Sequence, residues 1–217
     1  GYAQQAVRLY EELAGIRPLG STTAVDYQNL AAFTPNEYWA HPALAYALVL
    51  LARAYNAAGD LATGAVVMGP QRIRLLERLA QHDPGKYRPV LATGLTLDLI
   101  NSGFSAALGP QPSLSYAKQA VRLYEELAGI RSPGSTAAVD YENLAAFTPN
   151  EYWAHPALAY ALYLLARAYK EAEDLATGAM VMGPQRVKLL ERLAQHDPDL
   201  YGPALTQAKA DAAAFGV

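Results

Sequence analysis

The amino-acid sequence predicts an all-α protein, an α-solenoid of antiparallel helix pairs built from a tandem duplication. Three observations carry that expectation. Within residues 41–60, Leu44, Leu48, Leu51 and Tyr55 fall four, three and four residues apart, the spacing of one face of an α-helix. No segment alternates apolar and polar residues with the β-branched enrichment of a strand. Residues 2–84 align without a gap on residues 116–198, a shift of 114, with twelve differences in 83 positions.

In chain order, the pattern predicts a helix over 3–15, a linker, and a short helix over 22–32. A helix follows over 41–58, in which Ala45, Ala47, Ala52 and Ala54 leave room for a close neighbour. Gly59 and Asp60 end it, since glycine readily takes the left-handed conformation of a helix stop. The next helix, over 61–81, contains Gly69 and Pro70, which are expected to break or kink it. A helix over 88–104, a turn at 109–112 and a helix over 113–128 lead into the second copy, and a last helix is expected over 203–214. Pro42, Pro89, Pro156 and Pro203, each close behind a tyrosine, read as helix starts, where the missing N–H of proline is harmless. The run Ala6-Val-Arg-Leu-Tyr-Glu-Glu-Leu-Ala14 is similar to residues 73–80 and returns at 120–128 and 187–194, so two helix types, A and B, alternate.

Composition narrows the function. Hydrophobic residues make up 52% of the chain and charged residues 17%, a globular balance. A net charge of −3 gives no global attraction to nucleic acid or anionic membrane. Arg53 and Arg167 interrupt the longest apolar runs, so no membrane span is expected. The absence of cysteine removes disulfides, thiolate metal sites and cysteine nucleophiles. The N-terminus has neither a starting methionine nor a secretory-signal pattern, so a trimmed, cytoplasmic chain is expected.

The A-helix residues carry a family resemblance. Leu48-x-x-Leu51-Ala52-x-x-Tyr55, followed by Gly59, and Leu162-x-x-Leu165-Ala166-x-x-Tyr169 resemble the first-helix signature of the tetratricopeptide repeat, W-x-x-L-G-x-x-Y. Leucine replaces the tryptophan, alanine replaces the glycine, and Glu173 replaces the turn glycine of the second copy. The B-helix runs are similar to the longer repeats of bacterial and fungal arrays. The A helix near 88–104 matches least well: Leu91, Ala92 and Leu95 fit, whereas Asp98 and Ser102 stand where apolar residues belong. The resemblance implies two modules, residues 1–115 and 116–217, in one continuous solenoid. It also implies a concave groove lined by A-helix positions Tyr46, Val49, Arg53 and Asn56, and by Tyr160, Tyr163, Arg167 and Lys170. Tyrosine with arginine suits an acidic or C-terminal peptide, through charge-assisted hydrogen bonds and stacking.

Other constellations are weaker. Glu37 and His41, and Glu151 and His155, are spaced for one helix face, but the following prolines disfavour helix at each histidine. A packing role is therefore expected, with no metal, cofactor or catalytic residue. His82 and His196 sit at B-helix ends, near the last carbonyls. Residues 15–20 lack the Gly-Lys-Ser/Thr ending of a phosphate loop. In the insert at 21–33, copied at 135–147, Asp26, Tyr27, Asn29 and Phe33 read either as a groove wall or as a plug at a helix junction. Two functions follow. The first is a non-enzymatic scaffold for a partner protein or peptide. The alternative is sequestering or sensing an aromatic small molecule in a pocket between the two halves, near Trp39 and Trp153. Self-association through open ends is a further possibility.

Overall fold

The computed structural model describes residues 1–30, 39–144 and 153–217, and among them every regular element is helical. The chain divides into two compact units, Gly1–Gly109 and Pro110–Val217. The first contains α1 (Tyr2–Leu13), α2 (Ala40–Ala57), α3 (residues 61–82), α4 (residues 84–100) and α5 (Phe104–Leu108). The second contains α6 (Pro110–Leu127), α7 (Ala154–Glu171), α8 (residues 175–196) and α9 (Pro198–Ala214). In the first unit α1 packs on α2, α2 on α3, and α3 on both α4 and α5; in the second, α6 packs on α7, α7 on α8, and α8 on α9. No helix among the described residues is long and apolar enough to cross a membrane.

The predicted apolar face of α2 is the buried one: Leu44, Leu48 and Leu51 are core residues, as are Leu158, Leu162 and Leu165 of α7. Aspartates set the starts of the following helices. Asp60 and Asp174 accept hydrogen bonds from the backbone N–H of Thr63 and Thr177, at 3.0 and 3.1 Å. Asp83 and Asp197 do the same for Lys86 and Leu200, at 3.2 and 3.0 Å. Consequently α4 and α9 begin at Pro84 and Pro198, several residues before the expected starts, and Pro89 and Pro203 lie inside them.

Three further expectations are corrected. The short helix over 22–32 reduces, within the described residues, to a single 3-10 turn at Tyr27–Asn29. His41 lies inside α2 and not ahead of it, because Pro42 occupies the third helical position, where an N–H has no intrahelical partner. Gly69 and Pro70 do not interrupt α3. The helix passes through them as a π-helical segment, Val67–Ile73, whose wider turn accommodates a proline that would obstruct regular i→i−4 bonding. The second unit has the same feature at Val181–Val187. A third π segment, Gly94–Ile100 in α4, contains no proline. There Asn101 N–H bonds Thr96 C=O at 2.9 Å, a five-residue span, and the Thr96 hydroxyl donates to Ala92 C=O at 3.1 Å.

The crossing of α2 and α3 turns on Gly64. A Cβ there would stand 2.9 Å from the Ala52 carbonyl oxygen and 2.8 Å from Phe104. Gly64→Ala should therefore destabilise the protein by about 1–3 kcal/mol through overpacking, less the helix-propensity gain of roughly 1 kcal/mol, as read by urea denaturation. Stabilisation by this variant would show that the backbones separate at no cost. At the equivalent of Gly59 (φ +81°), Glu173 keeps the left-handed conformation with φ +64°, so the turn survives loss of its glycine.

Candidate functional site: the A-helix faces and the insert cleft

The insert is tied down by a buried ionic cluster. On α1 and its C-terminal cap, Val7, Glu11 and Ala14 follow helical spacing onto one buried face, which places a carboxylate among core residues; Glu11 is 4% exposed. Its charge is met by Arg17, whose Nε donates at 2.6 Å, and its other oxygen accepts the Tyr27 hydroxyl at 2.7 Å. Arg17 also donates to the carbonyls of Ser21 and Thr23, fastening the loop that leads to Tyr27. The second unit repeats the cluster: Arg131 Nε reaches Glu125 at 2.6 Å, and the Tyr141 hydroxyl reaches it at 2.7 Å. Burial, then the neighbouring carboxylate, hold both phenols well above the ordinary tyrosine pKa. Arg78 and Arg192 add a tether from the following helices, donating to the carbonyls of Leu30 and Leu144 at 2.7 and 3.2 Å.

These contacts decide most of the insert. Tyr27 is buried, with its hydroxyl on Glu11 of α1, and its turn packs against α3. Asp26 turns back onto its own loop, accepting from Gln28 N–H at 2.9 Å and the Asn29 side chain at 2.7 Å. Phe33 lies outside the described residues, as do Glu37 and Glu151 of the two Glu–His pairs. His41 and His155 are buried.

On α2, Tyr46 is 65% exposed and Leu50 is 44% exposed, and both Arg53 and Asn56 reach solvent. Val49 does not: at 5% exposure it belongs to the core. The groove expectation is therefore corrected at that position, because the four-residue step from Ala45 to Val49 remains on the packed side of the helix. In α7 the tyrosine at the equivalent position keeps its ring partly exposed. Tyr163 stacks against Tyr160 with centroids 6.2 Å apart, and the guanidinium groups of Arg167 and Arg186 lie 5.8 and 4.9 Å from its centroid. Lys170 stands over the Phe215 ring at 5.3 Å.

Beneath these faces the first unit holds a buried arginine, Arg72, and the second a part-buried one, Arg186. Arg72, in the first π segment, donates from Nε to Ala45 C=O at 3.2 Å and pairs with Asp98 at 2.9 Å. Burial draws its pKa down and Asp98 opposes that shift. Arg53 approaches the same carboxylate at 3.8 Å. Gly94 gives the guanidinium room, since a Cβ there would lie 2.9 Å from Arg72 Nη1. Asp98 is thus the counter-ion of Arg72, where the repeat pattern called for an apolar residue. In the second unit Arg186 pairs with Asp211 at 2.7 Å. Extending the 114-residue shift would match Asp98 to Ala212; the extra residue accommodated by the π segment of α4 accounts for the one-position offset.

The first unit also contains a cleft of about 410 Å³. Its walls come from α1 (Gln4, Val7, Arg8), the insert (Thr22, Val25), α2 (Leu51, Tyr55) and α3 (Thr63, Val67, Gln71). Among the described residues, no group of three His, Cys, Asp or Glu side chains is arranged to hold a metal ion. The sequence-expected groove residues thus lie on two helices, one in each unit, with Val49 withdrawn. The cluster of Glu11, Arg17 and Tyr27 was missed, although a glutamate on an apolar stripe, present in both copies, was its signal. Comparison with protein-family models, with curated proteins and with solved structures finds no match to this chain.

Proposed function

We propose that the chain is a non-enzymatic binding scaffold, a divergent tetratricopeptide-like solenoid. In this reading α2 and α7 present their solvent faces to a partner peptide bearing acidic side chains or a free C-terminal carboxylate. The observation that carries this reading is the line Tyr46, Leu50, Arg53 on α2. These residues are four and three apart, all are solvent-exposed, and they lie opposite the buried Leu44, Leu48 and Leu51. A large exposed aromatic beside an aliphatic and a cation is a composition typical of an interaction surface.

The cations are loosely held. Arg53 is 3.8 Å from Asp98 and Arg167 is 3.8 Å from Glu171, both on the exposed side, so exchanging these partners for a ligand carboxylate forfeits little. On α7 the Tyr160–Tyr163 pair adds an aromatic platform, and Arg167 beside it supplies the charge.

Fluorescence polarisation with a pool of labelled acidic peptides, in free-carboxylate and C-terminally amidated forms, tests the assignment. Arg53→Ala and Arg167→Ala should each weaken binding about tenfold, the effect of losing one charge-assisted contact, with the melting temperature unchanged. Undiminished binding by the double variant would remove these faces from the account.

A further inference from the structure

The cleft of the first unit lies apart from the line Tyr46, Leu50, Arg53 and carries its own chemistry. Its apolar lining includes Val7, Leu51 and Val67, all buried against the core. Its volume, about 410 Å³, falls within the range of small-molecule sites, and such sites are mostly apolar with a few placed polar groups. Those groups are present. The side chains of Thr22 and Gln71 line the cleft and make no hydrogen bond among the described residues. Tyr55 Oη accepts from Gln4 Nε2 at 2.7 Å, which leaves the phenol proton for a ligand oxygen.

Charge selects the ligand class. The ionised residues lining the cleft are Arg8, Glu11 and Arg17. Glu11 and Arg17 neutralise each other at 2.6 Å, which leaves Arg8 as the net charge on the wall. Arg8 is held only partly: Nη2 donates to Ser21 C=O at 3.0 Å, Nε is 3.6 Å from Glu12, and the side chain is 46% exposed. A guanidinium with spare N–H groups beside an apolar pocket matches a carboxylate joined to an apolar body.

The second unit supplies a natural contrast. Of the fifteen positions that line the cleft, two differ there: Lys118 replaces Gln4 and Met180 replaces Val66. Lys118 lies over the ring of Tyr169, 5.1 Å from its centroid, on the counterpart of Tyr55.

We propose that the first-unit cleft, between α1, the insert, α2 and α3, binds a small amphipathic monocarboxylate of aryl-acetate size. The apolar body rests on Val7, Leu51 and Val67, and the carboxylate meets Arg8 and the Tyr55 hydroxyl. This site is independent of the peptide-binding reading.

The test is a nuclear magnetic resonance titration of the full chain with phenylacetate, phenylacetamide and 2-phenylethylamine, which share a body and differ in head group. Phenylacetate should shift the amides of Val7, Tyr55, Thr63 and Val67, and bind about tenfold more tightly than either of the other two. Arg8→Gln should erase that preference. Val66→Trp should fill the cleft and abolish binding; if it unfolds the chain, Val66→Met, the residue already carried by the second unit, should weaken binding. Absence of binding, equal affinity for all three probes, shifts mapping elsewhere, or phenylacetate binding unaffected by these variants would each overturn the proposal. Shifts confined to Tyr46, Leu50 and Arg53 would overturn it too, while leaving the peptide reading intact.

Discussion

Replacing Glu11 with alanine should destabilise the protein by about 3–5 kcal/mol, the loss expected when one partner of a buried ion pair is removed. Arg17 would keep its bonds to the carbonyls of Ser21 and Thr23 but lose the carboxylate 2.6 Å away, and the buried Tyr27 hydroxyl would lose its acceptor. Tyr27→Phe removes only the hydroxyl bond and should cost about 1.5–3 kcal/mol. Urea denaturation orders the two variants, and amide hydrogen exchange should show residues 21–30 opening first in Glu11→Ala. A loss below about 1 kcal/mol for Glu11→Ala would place the cluster among ordinary surface pairs. The phenols add a pH signature. Because Tyr27 and Tyr141 have folded-state pKa values raised above the unfolded value near 10, the folded chain retains those protons where the unfolded chain has lost them. Their contribution is thus complete below about pH 10 and declines above it, with a slope of about 1.4 kcal/mol per pH unit for each tyrosine. Tyr27→Phe should remove one tyrosine's share of that alkaline slope.

The second large effect is expected at Asp98. Asp98→Ala strips Arg72, which is 7% exposed, of its carboxylate and leaves a guanidinium in the core with Ala45 C=O and the Met68 sulfur as its neighbours. A loss of about 3–5 kcal/mol follows. The double variant Arg72→Met, Asp98→Ala should recover much of it, because an apolar chain of similar length needs no counter-ion. If Asp98→Ala alone proves neutral, solvent must reach Arg72, and the buried pair is not what joins α3 to α4.

Both clusters show where the sequence was legible and where it was not. The core faces of α2 and α7 were legible because leucines at helical spacing have one physical outcome, burial against neighbouring helices. The π segments were not. An i→i+5 turn has no apolar period of its own, and Gly69 and Pro70 read as an interruption when they are in fact spanned. Asp98 looked like a defect in the pattern, since its partner lies 26 positions away on another helix and only the fold brings them together. Glu11 carried a usable sign, a carboxylate on the stripe of Val7 and Ala14, but its partners Arg17 and Tyr27 belong to an irregular insert in which spacing predicts no contact. At the candidate site, the exposed Tyr46 and Arg53 agree with what the tetratricopeptide resemblance implied, whereas Val49 does not, because a position bordering the apolar stripe is assigned to core or surface only by the width of the neighbouring helix packing.

The central claim is that α2 presents a peptide-binding face, and site-specific photo-crosslinking tests it most directly. A photoreactive phenylalanine analogue in place of Tyr46 should crosslink to a free-carboxylate acidic peptide, and added Arg53→Ala should suppress the adduct. The same analogue in place of Leu9, an exposed apolar position on α1, should give none. Crosslinking at position 9 with none at position 46 would contradict the account.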